Sequence, residues 1–163
     1  MLPRLPFAAL FALLLLAAAP QARAQTAVEV GPRAGLEIND PEALVLGGDL
    51  RVDAATLPFQ VQGTFDYYLD SSDAYRFTAN GLYEVRYENE LFVPYFGPGL
   101  SVTRFADDTD VGLNVVGGAE FEVANLGFGA VRPFVQGSFV PLGGEVQPFQ
   151  VTSGILFELG GGS

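Results

Sequence analysis

The chain is 163 residues long and carries nineteen acidic against eight basic side chains, a net charge of −11, with neither cysteine nor histidine. That length fits a single domain, and the missing thiols exclude both a disulfide framework and a thiolate site. Without imidazole the usual general base and the commonest metal ligand are gone, so serine–histidine hydrolysis is excluded, and so acidic a chain is unsuited to nucleic acid.

The basic residues are all arginine, at positions 4, 23, 33, 51, 76, 86, 104 and 132. A planar guanidinium suits enclosed pairing with carboxylates, so the bias points to charges held inside something. A lysine-poor genome would give the same bias.

Residues 1–24 read as a secretory signal peptide for export through the Sec pathway: Arg4, an apolar run from Phe7 to Ala19, Pro20, and the small-residue site Ala22-Arg23-Ala24. Cleavage is expected between Ala24 and Gln25. The run is shorter than the ~20 residues of a spanning helix, so an uncleaved anchor is the weaker alternative, and no cysteine follows it to carry a lipid. Removing Arg4 and Arg23 leaves six arginines against nineteen acidic residues, a mature charge near −13.

From Ala27 onward apolar and polar residues alternate with period two, interrupted by short clusters of Asp, Asn, Gly, Pro and Ser. This is a strand-and-turn rhythm. In Ala74 to Tyr87, residues Tyr75, Phe77, Ala79, Gly81, Tyr83, Val85 and Tyr87 share one face; Arg76, Thr78, Asn80, Glu84 and Arg86 share the other, and only Leu82 breaks the pattern. The same reading predicts eight strands near 27–38, 44–53, 58–69, 74–87, 91–105, 111–124, 130–140 and 146–159, with no helix in residues 25–159 and a Gly/Ser tail over 160–163. Pro32, Pro94, Pro98, Pro133 and Pro148 fall inside these strands and count against flat central ones.

Alternation alone does not say which face is outside, since a soluble ligand-binding barrel and a membrane barrel are inverses of each other. Three features favour the membrane form. The polar register carries both signs of charge beside glycines, which suits a narrow filled lumen. Aromatics sit toward strand ends on the apolar register, at Phe59, Tyr67, Tyr75, Tyr87, Phe92 and Phe139. The strands also exceed the usual globular five or six residues. The expected fold is therefore all-β: an eight-stranded antiparallel up-and-down transmembrane β-barrel with a filled polar interior. Its connections at 39–43, 70–73, 106–110 and 141–145 would face outside, and those at 54–57, 88–90 and 125–129 the periplasm.

Over about residues 27–159 the chain resembles the OmpA/OmpX-like family of small outer-membrane β-barrels. The resemblance rests on the Pro94-Tyr95-Phe96-Gly97-Pro98-Gly99-Leu100 segment, the Gly112 to Phe121 strand and the Arg132-Pro133-Phe134-Val135 strand start. The last strand, with Thr152, Gly154, Phe157 and Leu159, is similar to the assembly signal of such proteins, although the chain continues into Gly160-Gly161-Gly162-Ser163 instead of ending on an aromatic residue. The resemblance implies an outer-membrane location, a structural or surface-interaction role in the envelope, contact with outer-membrane lipids and the barrel assembly machinery, and a monomer. No external partner is identifiable.

The candidate functional feature is a lumen charge set of Glu29, Arg33, Glu37, Asp49, Arg51, Asp66, Arg76, Glu84, Arg86, Glu120, Glu122 and Arg132. Mutual pairing that fills the lumen is the first reading; a gated polar path through broken Arg–carboxylate pairs is the second. Asp107-Asp108-Thr109-Asp110 matches no complete metal loop and reads as a solvated turn. Arg104, on the apolar register near the outer rim, could meet lipid phosphate or be a simple rim charge. No residues form a recognisable catalytic or cofactor constellation, so an enzyme is not expected. The alternatives to a structural barrel are a small outer-membrane pore and a soluble periplasmic barrel that binds an apolar ligand.

Overall fold

The computed structural model describes residues 26–38, 42–69, 74–86, 92–105, 108–121, 123–125, 130–142 and 149–159. The expected signal peptide with its Ala24–Gln25 cleavage site, the Gly/Ser tail, Tyr87, Glu122 and Pro148 lie outside them. The strands are β1 (Thr26–Glu37), β2 (Ala43–Ala54), β3 (Gln60–Tyr68), β4 (Tyr75–Glu84), β5 (Val93–Phe105), β6 (Asp108–Glu120), the two-residue β7 (Ala124–Asn125), β8 (Ala130–Leu142) and β9 (Phe149–Leu159). Eight of them match the strands expected from the alternation to within a few residues at each end.

Every neighbouring pair is antiparallel, and the order runs β1-β2-β3-β4-β5-β6-β8-β9 and back to β1, so the sheet closes. β7 adds only two pairs to the start of β8, Ala124↔Val131 and Asn125↔Ala130. Closure leaves no unpaired edge along the wall, and even strand number brings Thr26 and Leu159 to the same end.

Burial alternates with the sequence. Along β3 every second residue from Gln60 to Tyr68 is buried while Val61, Phe65 and Tyr67 are exposed. The inward register holds the polar residues and the outward register the apolar ones, the reverse of a soluble barrel. Glycines on the inward side are fixed by curvature. A Cβ at Gly97 would sit 1.8 Å from the Gly81 carbonyl oxygen, and one at Gly31 1.7 Å from that of Ile155. Outward, at Gly117, the nearest such atom is 3.9 Å away.

Pro32, Pro94, Pro98 and Pro133 lie on the outward register, and Pro32 and Pro98 sit at gaps in a ladder. The β1–β9 ladder is missing its rungs at Gly31 and Pro32, between Val30↔Phe157 and Arg33↔Gly154, and resumes in the same register. The β4–β5 ladder is likewise missing its rungs at Gly97 and Pro98, between Asn80↔Gly99 and Tyr83↔Phe96. Proline has no N–H to donate, so each gap falls where a rung needs one. Pro32 and Pro98 keep their pairing on the other side, to Gly48 of β2 and Val115 of β6.

Candidate functional site

The inward side chains form the candidate site, in three tiers from the end remote from the termini. At that end Arg76 on β4 reaches Glu37 on β1 with two hydrogen bonds, Nη1 to Oε2 at 2.9 Å and Nη2 to Oε1 at 3.3 Å, and gives its Nε–H to Thr103 on β5. The Tyr68 hydroxyl donates to the same Glu37 carboxylate at 2.8 Å. Two-point Arg–carboxylate contacts fix orientation as well as charge, so this tier ties four strands together, β1, β3, β4 and β5.

In the middle, Arg33 on β1 lies 3.0 Å from Asp66 and 3.5 Å from Asp49, and donates to Thr152 at 2.9 Å. An amide chain crosses the lumen beside it. Asn114 donates to Asn80, Asn80 to Gln62, and Gln62 to both Asp49 and Gln136, at 2.7 to 2.9 Å. Gln62 on β3 and Gln136 on β8 stand on opposite walls of the ring, so this contact spans the full lumen.

Toward the terminal end Arg51, completely buried, bonds to Asp49, Glu120 and the Tyr95 hydroxyl. Its guanidinium also lies 4.7 Å from the Tyr95 ring centre and 4.8 Å from that of Phe134. Aromatic faces stabilise a desolvated cation whose hydration has been removed. Room for the two rings comes from facing glycines: a Cβ at Gly118 would meet the Tyr95 ring at 2.7 Å, and one at Gly154 the Phe134 ring at 2.6 Å. Below them Arg132 pairs with Glu29 and lies 3.8 Å from Glu158.

Nine members of the expected lumen set are thus brought together: Glu29, Arg33, Glu37, Asp49, Arg51, Asp66, Arg76, Glu120 and Arg132. Glu84 is at the terminal mouth. Arg86 is not in the lumen: it lies two residues past the end of β4, beyond the last described backbone bond to β5 at Val85, and its side chain is 66% exposed and bonds to Glu84 at 2.5 Å. Glu122 lies outside the described residues. Leu82, which seemed to break the alternation, is fully buried against Tyr95 and Val116 and so keeps the inward register. The amides and hydroxyls of Gln62, Asn80, Tyr95, Asn114, Gln136 and Thr152 carry as much of the network as the charges. Their signal was the shared register.

Of the segment 107–110, Asp108, Thr109 and Asp110 are exposed on β6. Among the described residues no cluster of three acidic side chains could hold a metal ion. Thr152 and Gly154 of the assembly-signal-like segment face inward, Phe157 and Leu159 outward.

The outward face is the other half of the site. Phe96, Leu100, Val111, Leu113, Val115 and Val135 are all exposed near or above half of their area. Among the described residues of the eight long strands, Arg104 is the one charge on the outward register. Aromatic rings gather toward the two ends, as Phe65, Tyr75 and Phe77 on one and Phe92 with Phe121 on the other. So large an apolar surface is far outside what a water-soluble monomer exposes.

No protein-family model matches the sequence, and a search of curated proteins finds no match. Solved structures do match. Neisserial surface protein A aligns with 81% of this chain and 96% of its own at a TM-score of 0.54 and 14% identity. The N-terminal β-barrel domain of Pseudomonas aeruginosa OprF aligns with 82% of this chain and 100% of its own at 0.53 and 15%. The resemblance read from the sequence holds at the level of fold: the chain shares the architecture of small outer-membrane β-barrels.

Proposed function

We propose that the protein is an integral β-barrel of a bacterial outer membrane with a structural or surface-interaction role, and that it is not an enzyme. The observation that carries this reading is the inversion of its two faces. An apolar wall, whose one described outward charge is Arg104 at the rim, surrounds an interior of paired ions and amides, an arrangement that is costly in water and suited to lipid. A soluble barrel for an apolar ligand requires the opposite: here the interior is polar and occupied by side chains.

The proposed biogenesis is Sec export, cleavage after Ala24 and insertion by the barrel assembly machinery, leaving a monomer in contact with outer-membrane lipids. Both termini would lie on the periplasmic side, with the Glu37–Arg76 tier toward the cell exterior. One of the fold's neighbours is by name a surface protein, which supports the surface-interaction part of the reading. The cross-lumen contacts favour a closed plug over a pore.

Fractionation tests the reading. The protein is expected to stay with the outer membrane through osmotic shock, to need detergent for extraction and to show heat-modifiable gel mobility. Release by osmotic shock without detergent would overturn it.

A further inference from the structure

We propose that Arg104 and the Tyr75 hydroxyl form a binding site for the phosphate of a lipid A-type glycolipid, on the rim remote from the termini. The proposal rests on the membrane reading above. Arg104 is exposed near the end of β5, paired in register with Tyr75 of β4, and its Nη1 lies 3.4 Å from the Tyr75 oxygen. Elsewhere the described outward register of the eight long strands avoids charge, so a guanidinium here sits where an apolar wall meets headgroups. A guanidinium and a neighbouring phenol offer donors from two directions, the geometry that a tetrahedral phosphate accepts.

The surface below the pair suits the rest of such a lipid. Tyr75 packs edge-on to Phe77 at 5.7 Å, and Phe77 meets Phe65 at 4.9 Å. Val102 faces Phe77 across the β4–β5 ladder. This patch is three strands wide, enough for a lipid with several acyl chains side by side. Asp108 and Asp110 of the adjacent β6 alternate onto the inward register, whereas Thr109, opposite Arg104, shares its outward one. On the proposed orientation this rim lies in the outer leaflet, whose phosphate-bearing lipid is the glycolipid.

The test uses the purified mature protein in nanodiscs of phosphatidylcholine doped with lipid A in one series and phosphatidylglycerol in another. Lipid retained after mild extraction is counted by native mass spectrometry. Lipid A is expected to be retained, to fall about fivefold in Arg104→Gln and about twofold in Tyr75→Phe, and to persist largely in Arg104→Lys. Phosphatidylglycerol is expected to be retained less than lipid A. Equal retention by the wild type and Arg104→Gln, or equal retention of the two lipids, would overturn the site. Heat-modifiable mobility separates this from the membrane reading. Inserted wild type that holds no lipid A sinks the site alone, while wild type that stays outside the discs sinks both.

Discussion

Arg51 on β2 and Glu120 on β6 face each other from opposite walls of the ring and close an ion pair across the whole lumen, with neither side chain more than 5% exposed. Burying both charges carries a desolvation cost that the pair only partly returns, so the informative quantity is the effect of removing one partner. Replacement of Glu120 by Ala is expected to lower barrel stability by about 3 kcal/mol, read from urea unfolding in lipid vesicles. Arg51→Met combined with Glu120→Leu is expected to be milder than Arg51→Met alone, because that single change leaves the Glu120 carboxylate buried without its Arg51 partner, whereas Asp49 keeps Arg33. A double variant as damaged as the sum of the singles would contradict the pairing.

Conductance tests the plug. Reconstituted wild-type protein is expected to show no steady single-channel openings in planar bilayers, since Arg51–Glu120 and Gln62–Gln136 both span the lumen. Arg51→Ala removes contacts to Asp49, Glu120 and Tyr95 together and is expected to give openings. Steady openings of the wild type would favour the pore reading. Arg86 is the wrong place to look, as it lies outside the lumen.

The two faces of the wall should respond to glycine substitution in opposite ways. Gly97→Ala places a methyl group 1.8 Å from the Gly81 carbonyl oxygen, so two strands must part, and a loss of at least about 3 kcal/mol or failure to refold is expected. Gly117→Ala brings its methyl no closer than 3.9 Å to the Tyr95 carbonyl oxygen, an ordinary contact, and is expected to stay within about 0.5 kcal/mol of the wild type. Urea midpoints and heat-modifiable mobility of the pair decide the matter.

An outward charge distinguishes lipid from water. Val115, near the middle of β6 and 51% exposed, carries a substitution to Arg without disturbing the lumen. Against water such a change is close to neutral, whereas at the depth of a bilayer it costs about 2–4 kcal/mol. Val115→Arg is therefore expected to weaken folding into vesicles by that amount, and a near-zero change would argue against a membrane-facing wall.

The strand count, the antiparallel order and the inside-outside assignment were all legible, because period-two alternation is a local property and the two registers differ so sharply in chemistry. Partners were not. Arg51 and Glu120 are 69 residues apart in sequence, and nothing local says which inward positions reach one level once the sheet has tilted and closed. Arg86 was misplaced for a related reason: alternation continues past Glu84 in the sequence, while the last described backbone hydrogen bond to β5 is that of Val85, and Arg86 beyond it is exposed. Leu82 shows the converse, since it disturbs the polarity of its register without leaving it, and an apolar contact with Tyr95 and Val116 inside a polar lumen is invisible until the strands are assembled.

The two broken ladders, at Gly31-Pro32 and Gly97-Pro98, lie on strands that face each other across the ring. They mark the boundaries between two four-stranded staves, β1–β4 and β5, β6, β8 and β9. Along these seams the backbone holds less tightly, so amide exchange should start there. Beside the backbone pairs that remain on either side of each gap, the contents of the lumen couple the staves: Arg33 to Thr152, Arg51 to Glu120, Gln62 to Gln136 and Arg76 to Thr103 each cross from one half to the other. The filling acts as the hoop of the barrel, and loosening it should let the two halves breathe against each other before either one unravels.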